Sequence, residues 1–185
     1  MDNGASSYRR FLDGDDAGMV EVVRDYKDGL MLYLNGIVQN IYVAEDLTEE
    51  AFVKLIVKRP HFFGRSTFKT WLYTIGRNLA MDYIRKNAKL PTLSLEEVAF
   101  AASEEEDIQR HYLRTEQRLQ VHQALKKLKP EYRQVLHLVY FEEFQNAQVA
   151  TILKKSRKQI ENLLYRAKQA LRTELEKEGF VYEIL

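Results

Sequence analysis

Apolar residues recur at three- and four-residue steps along nearly the whole chain, and nowhere do they alternate with polar ones. Met19, Val22, Val23, Tyr26, Leu30, Leu34, Ile37, Val38 and Ile41 set the pattern early. That spacing belongs to helices burying one face, whereas a half-buried strand needs a period of two. The architecture is therefore all-α. Gly29 and Gly36 fall inside this run and weaken a helix locally, so two helices or a bend are expected here rather than one straight rod. The first dozen residues are expected to fray or to form a short extra helix.

Composition bounds what such helices can belong to. With 45% apolar and 30% charged residues, the 185-residue chain reads as a soluble globular protein of one ordinary or two small domains. A membrane helix needs a run of about 18 apolar residues, which the chain lacks, and because Met1-Asp2-Asn3-Gly4 lacks the basic and apolar regions of a signal peptide, none is expected. No cysteine is present, which excludes disulfides, zinc ribbons and thiol nucleophiles. His61, His111, His122 and His137 show no metal-ligand spacing, and no glycine-rich loop could cradle a phosphate. Neither enzyme chemistry nor a cofactor is expected, and the expected compartment is the cytoplasm.

The net charge of +1 conceals segregation. Residues 13–50 carry −8 and residues 58–89 carry +7; residues 94–107 carry −6 and residues 150–172 carry +6. Two basic blocks set between acidic ones offer two electrostatic footprints for a polyanion.

Residues 44–86 concentrate the pattern. Thr48, Ala51, Phe52, Leu55 and Ile56 form one apolar stripe of a helix read as starting at Ala44, with Asp46, Glu49 and Glu50 opposite. Pro60, Phe63 and Gly64 break that helix, leaving a loop up to Thr70, which is placed to cap the next helix. There Trp71, Ile75, Leu79 and Tyr83 make the expected inward stripe, and Arg77, Asn78, Arg85 and Lys86 the outward face. Loop aromatics beside Arg and Lys suit single-stranded nucleic acid, because rings stack on bases while cations follow phosphates.

Residues 87–107, with Pro91 and an acidic run, read as a flexible linker; Ser94 with Glu97 and Ser103 with Glu106 fit capping boxes. Beyond it, Leu119, His122, Leu125 and Leu128 space a helix ending at Lys129. Pro130 suits the first turn of the next, which carries Val135, Leu136, Leu138 and Val139. A short helix over Asn146–Leu153, with Val149, Ala150 and Leu153 inward, precedes Lys154-Lys155 and a capping box of Ser156 with Gln159. Ile160, Leu163, Leu164, Ala167 and Leu171 then form a narrow stripe opposite Lys158, Asn162, Tyr165, Arg166 and Gln169. Helix, tight turn and a capped basic helix is the helix-turn-helix plan, whose second helix enters the major groove. The apolar residues Phe180, Val181, Tyr182, Ile184 and Leu185 that follow are expected to pack on this domain or to meet a regulator.

Taken in order, Ala44-Glu45-Asp46-Leu47-Thr48-Glu49-Glu50-Ala51-Phe52, the sequence Phe68-Lys69-Thr70-Trp71-Leu72, and Arg77-Asn78 with Asp82-Tyr83-Ile84-Arg85 resemble region 2 of bacterial RNA polymerase sigma factors. Residues 124–136 resemble the start of region 4 in that family, and residues 156–172, including Tyr165-Arg166-Ala167-Lys168, its DNA-reading helix. The arrangement, with a linker and no middle domain, resembles the extracytoplasmic-function (ECF) group.

The resemblance implies residues 1–88 as region 2, 89–110 as linker and 111–185 as region 4. It implies that Asp46, Leu47, Glu49, Glu50 and Phe52 dock on core RNA polymerase. Phe63, Arg65, Phe68, Lys69, Arg77, Asn78, Arg85 and Lys86 would open and hold the −10 element, and Ser156, Arg157, Lys158, Asn162, Tyr165 and Arg166 would contact the −35 duplex. It further implies an anti-sigma factor as regulator, without membrane insertion of this chain. Three positions depart from the family pattern. Glu49 stands where Gln is usual, Lys154 where the turn often has Gly, and Glu161 with Leu163 where many members carry Lys and Arg. A helix-turn-helix regulator acting without polymerase is the alternative; it would rest on residues 146–172 alone and leave the acidic helix and aromatic loop unexplained.

Overall fold

The computed structural model describes residues 3–88 and 116–177, which form helices and short connections without a strand among the described residues. They fall into two compact units. No helix among the described residues is long and apolar enough to cross a membrane. The two capping boxes at 94–97 and 103–106, the linker, the side chains of Leu119 and His122, and the apolar C-terminal residues lie outside the described residues.

The first unit opens with α1 (Asn3–Leu12) and α2 (Asp16–Val38). The alternative of a frayed start fails because α1 buries Tyr8 and Phe11. Its backbone also passes close to α2: a Cβ on Gly18 would lie 2.2 Å from the Ser7 carbonyl oxygen, so only glycine fits this crossing. Ser7 Oγ donates to Glu21 at 2.6 Å, and Arg10 pairs with Asp15 at 2.7 Å and Glu21 at 3.0 Å.

Helix α2 runs through Gly29 and Gly36 without ending, so of the expected two helices or bend the division into two does not fall at either glycine. The break comes at Gln39, left-handed at φ 54°, and Asn40, whose side chain accepts from Val43 N at 3.1 Å and caps α3 (Ile41–Lys58). The left-handed turn and the Asn40 cap end the helix where the two interior glycines do not, since an interior glycine costs only about 1 kcal/mol when the helix is packed. It follows that α3 starts at Ile41, ahead of Ala44.

Helix α4 (Phe68–Asn87) is capped by Thr67, whose hydroxyl accepts from Thr70 N at 3.2 Å. Thr70 itself, the expected cap, is buried one turn inside. The inward stripe is also rotated from expectation. Phe68, Leu72, Gly76, Leu79 and Ala80 are buried, while Trp71, Ile75 and Tyr83 are half-exposed. Gly76 explains the rotation: a Cβ there would meet Leu30 Cδ1 at 2.8 Å, so α4 leans its glycine side onto α2. Leu30, Leu34, Leu55, Leu72, Tyr33 and Tyr73 close the core of this unit.

In the second unit α5 (Glu116–Lys127) is followed by α6 (Pro130–Leu136), with Pro130 in the first turn as expected. Chain His137–Phe141 continues α6 as a π-helical turn. Arg133 is buried, and its guanidinium donates to the carbonyls of Lys126 at 2.7 Å and Leu128 at 2.9 Å, closing the C-terminal end of α5. Then come α7 (Asn146–Leu153) and α8 (Arg157–Lys177). Val135, Leu136, Leu138, Phe144, Val149, Ile160 and Ala167 form the core, and Ile152 is also buried. Ala150, expected inward, is only half-buried, and Ile152 takes that place.

Candidate docking and nucleic-acid interfaces

Helix α3 separates its faces cleanly. Ala44, Thr48, Ala51 and Leu55 are fully buried, and Leu47 and Phe52 nearly so. Leu47 and Phe52 therefore hold the helix from behind, while Asp46, Glu49 and Glu50 stand in solvent, with Glu50 3.3 Å from Lys54. Ile56, assigned by its spacing to the buried stripe, is 44% exposed. Val53 and Val57, 52% and 73% exposed, extend the acidic face by one and two turns. Their signal was in the sequence, since they follow Glu49, Glu50 and each other at helical steps. An acidic surface with exposed valines at its end repels phosphate and suits a protein partner carrying basic and apolar groups.

The connection to α4 presents a different chemistry. Phe63 is 76% exposed, the His61 ring meets its edge at 4.7 Å, and the Arg65 guanidinium lies 5.9 Å from its centroid. A bare ring flanked by a cation is a stacking platform for an unpaired base. Phe68, expected to share this task, does not: it is fully buried, because the helix starts at this residue and turns the ring inward. Lys69 lies 5.6 Å from the centroid of Tyr73, which stacks on Tyr33 at 5.5 Å and 30°. Burial pushes the Tyr33 phenol up, and the charge of Arg77 works against that shift. Arg77 and Asn78 are half-buried, whereas Arg85, paired with Asp82, and Lys86 are exposed. The expected −10 residues thus share α4 and its approach loop, with Phe68 removed from the set.

The α7–turn–α8 segment has the anticipated geometry. Ser156 N donates to Gln159 Oε1 at 2.7 Å and Gln159 N to Ser156 Oγ at 3.2 Å, the reciprocal capping box. The Ser156 side chain is thereby engaged in the cap. Lys154 occupies the left-handed region at φ 55°, and Lys155 reaches Glu131 at 3.1 Å. Ile160, Leu163, Ala167 and Leu175 hold α8 in place, leaving Lys158, Asn162, Tyr165 and Arg166 outward. Arg157 pairs with Glu161 at 3.3 Å on the same exposed face. That pair dilutes the positive charge of the first turn while leaving Lys158 and Arg166 at the surface.

Comparison with known proteins covers both units. Residues 22–90 match Sigma-70 region 2, and residues 118–171 match Sigma-70, region 4. The chain is similar to the RNA polymerase sigma factor SigV of Bacillus subtilis, 28% identical over 160 residues, or 86% of this chain and 92% of that protein. The ECF RNA polymerase sigma factor SigW of the same organism is 28% identical over 174 residues, covering 88% and 91%. Among solved structures, the sigma factor RpoE in complex with the anti-sigma factor NepR from Bartonella quintana shares the fold, with a TM-score of 0.63 at 19% identity over 84% of this chain and 95% of that one. Two family segments in one chain, in the order region 2 then region 4, with 92% and 91% of these two relatives covered, lead to one conclusion: the chain belongs to the sigma-70 family of bacterial RNA polymerase sigma factors, in its ECF group.

Proposed function

We propose that this chain is a dissociable initiation subunit: it joins core RNA polymerase, selects promoters by their −10 and −35 elements and assists opening. The observation that carries this reading is the division of labour among exposed faces: acid and valine on α3, ring and cation on the α4 approach, and a capped basic helix at α8. In this reading Asp46, Glu49, Glu50, Val53 and Val57 meet the polymerase, with Leu47 and Phe52 supporting them. Phe63 and Arg65 stack on the opened non-template strand, and Lys69, Arg77, Asn78, Arg85 and Lys86 line its path. Lys158, Asn162, Tyr165 and Arg166 read or grip the −35 duplex, and Arg157 joins them if DNA displaces Glu161. The task is binding and strand separation in the cytoplasm, with no catalytic group of its own. Capture of the related fold with an anti-sigma factor supports a protein regulator here as well.

Transcription of fragmented genomic DNA of the source organism, by bacterial core polymerase with and without the chain, tests the reading. Discrete new 5′ ends sharing two upstream elements are expected. Neither new ends nor core binding would overturn it in favour of a helix-turn-helix regulator that works without polymerase.

A further inference from the structure

Helix α1 reaches across the first unit to the loop that carries the stacking platform. Tyr8 is 1% exposed, and its hydroxyl donates to the Pro60 carbonyl oxygen at 2.8 Å. Its ring lies 5.4 Å from Phe68 and 5.6 Å from Trp71, and Phe62 closes the cluster at 5.3 Å from Trp71 and 5.7 Å from Phe68. One turn further along α1, the ring of Phe11 lies 4.8 Å beneath the Arg59 guanidinium. Both ends of the loop are thus held by α1: Arg59 and Pro60 where it leaves α3, and Phe68 where it enters α4. Between them Phe62 is anchored in this cluster, while Phe63 and Arg65 are exposed and Gly64 is left-handed at φ 69°, so the tip of the loop has little packing of its own and takes its direction from the clustered rings. Burial pushes the Tyr8 phenol up to about 12, with Arg59 opposing, so the hydroxyl keeps its proton and remains a donor at neutral pH.

We propose that Tyr8 is a positioning residue for capture of the opened strand: its bond to Pro60 and its ring against Phe68 and Trp71 aim Phe63 and Arg65 at the unpaired bases. The proposal deepens the sigma-factor reading and rests on it. It assigns a functional consequence to α1, a helix that carries none of the expected DNA or polymerase contacts.

Tyr8→Phe removes the hydroxyl and keeps the ring. Holoenzyme assembled from full chain and core polymerase would be measured against a single-stranded −10 oligonucleotide of the non-template strand and against a −35 duplex. The expected result is a roughly three- to tenfold loss of single-strand affinity, the scale of one hydrogen bond, with duplex and core affinities unchanged. A purely structural role would instead lower all three together. Backbone hydrogen exchange over residues 61–67 of the free chain gives a second readout and should be faster in Tyr8→Phe. Unchanged single-strand affinity, a uniform loss of all three affinities, or equal exchange overturns the proposal. Failure of the unaltered chain to direct new starts would overturn the function instead, and loop exchange would still decide the role of Tyr8.

Discussion

Single residues in this chain hold backbone conformations that their side chains disfavour. Gln39, Arg59, Glu143 and Lys154 all have positive φ, and Lys154 does so inside the helix-turn-helix turn. The left-handed region brings Cβ against the following carbonyl at a cost of about 1–2 kcal/mol, which glycine avoids at the expense of about 0.5–1 kcal/mol of extra chain entropy. Lys154→Gly should therefore raise the unfolding free energy by about 0.5–1 kcal/mol; denaturant melting checks this, and a loss of stability would show that Lys154 makes a compensating contact. Arg133 works at the same scale in the opposite sense. Its buried guanidinium serves two carbonyls at the end of α5, a role its sequence context does not announce.

At the scale of elements, α3 shows how one helix serves two masters. Its inner side is sealed by Ala44, Thr48, Ala51 and Leu55, so substitutions on the outer side leave the fold alone. The double substitution Glu49→Lys and Glu50→Lys should weaken core-polymerase binding at least tenfold, roughly 1.4 kcal/mol or more, while the melting temperature stays within a few degrees. Titration of labelled core polymerase with the variant reads the first quantity and thermal melting the second. Undiminished core affinity would move the docking surface off α3. Helix α8 follows the same logic, with its stripe inside and Lys158, Asn162, Tyr165 and Arg166 outside, but in the proposed function its partner is a duplex.

For the whole molecule, alternating charge blocks keep the tasks apart. The acidic block of residues 13–50 repels phosphate, and in the proposed function it leaves docking to α3 while the basic blocks at 58–89 and 150–172 draw DNA. Release of condensed counterions makes duplex affinity fall by about 0.9 log units per neutralised phosphate for each log unit of salt. Lys158→Ala with Arg166→Ala should accordingly flatten the salt slope of −35 duplex binding by roughly 2, if both cations sit on phosphates. Holoenzyme affinities at several salt concentrations give the slope. An unaltered slope would show that neither residue neutralises a phosphate.

Helix spacing, charge segregation and one capping box are local properties, and they were enough to read from sequence alone an all-α chain, two basic blocks and the helix-turn-helix. The Ser156–Gln159 box closes as written because a cap involves only four consecutive positions. The errors arose wherever a distant partner chose among local options. Thr67 and Thr70 can each cap a helix, and packing selected Thr67 by pulling Phe68 into the core. Gly76 against Leu30 rotated α4 away from its Trp71 stripe. Tyr8 meets Pro60 across 52 positions, so nothing in the first residues tells that they brace a loop. Periodicity says which face of a helix is apolar; only the neighbour it packs against decides which residues of that face are buried and which are left to act.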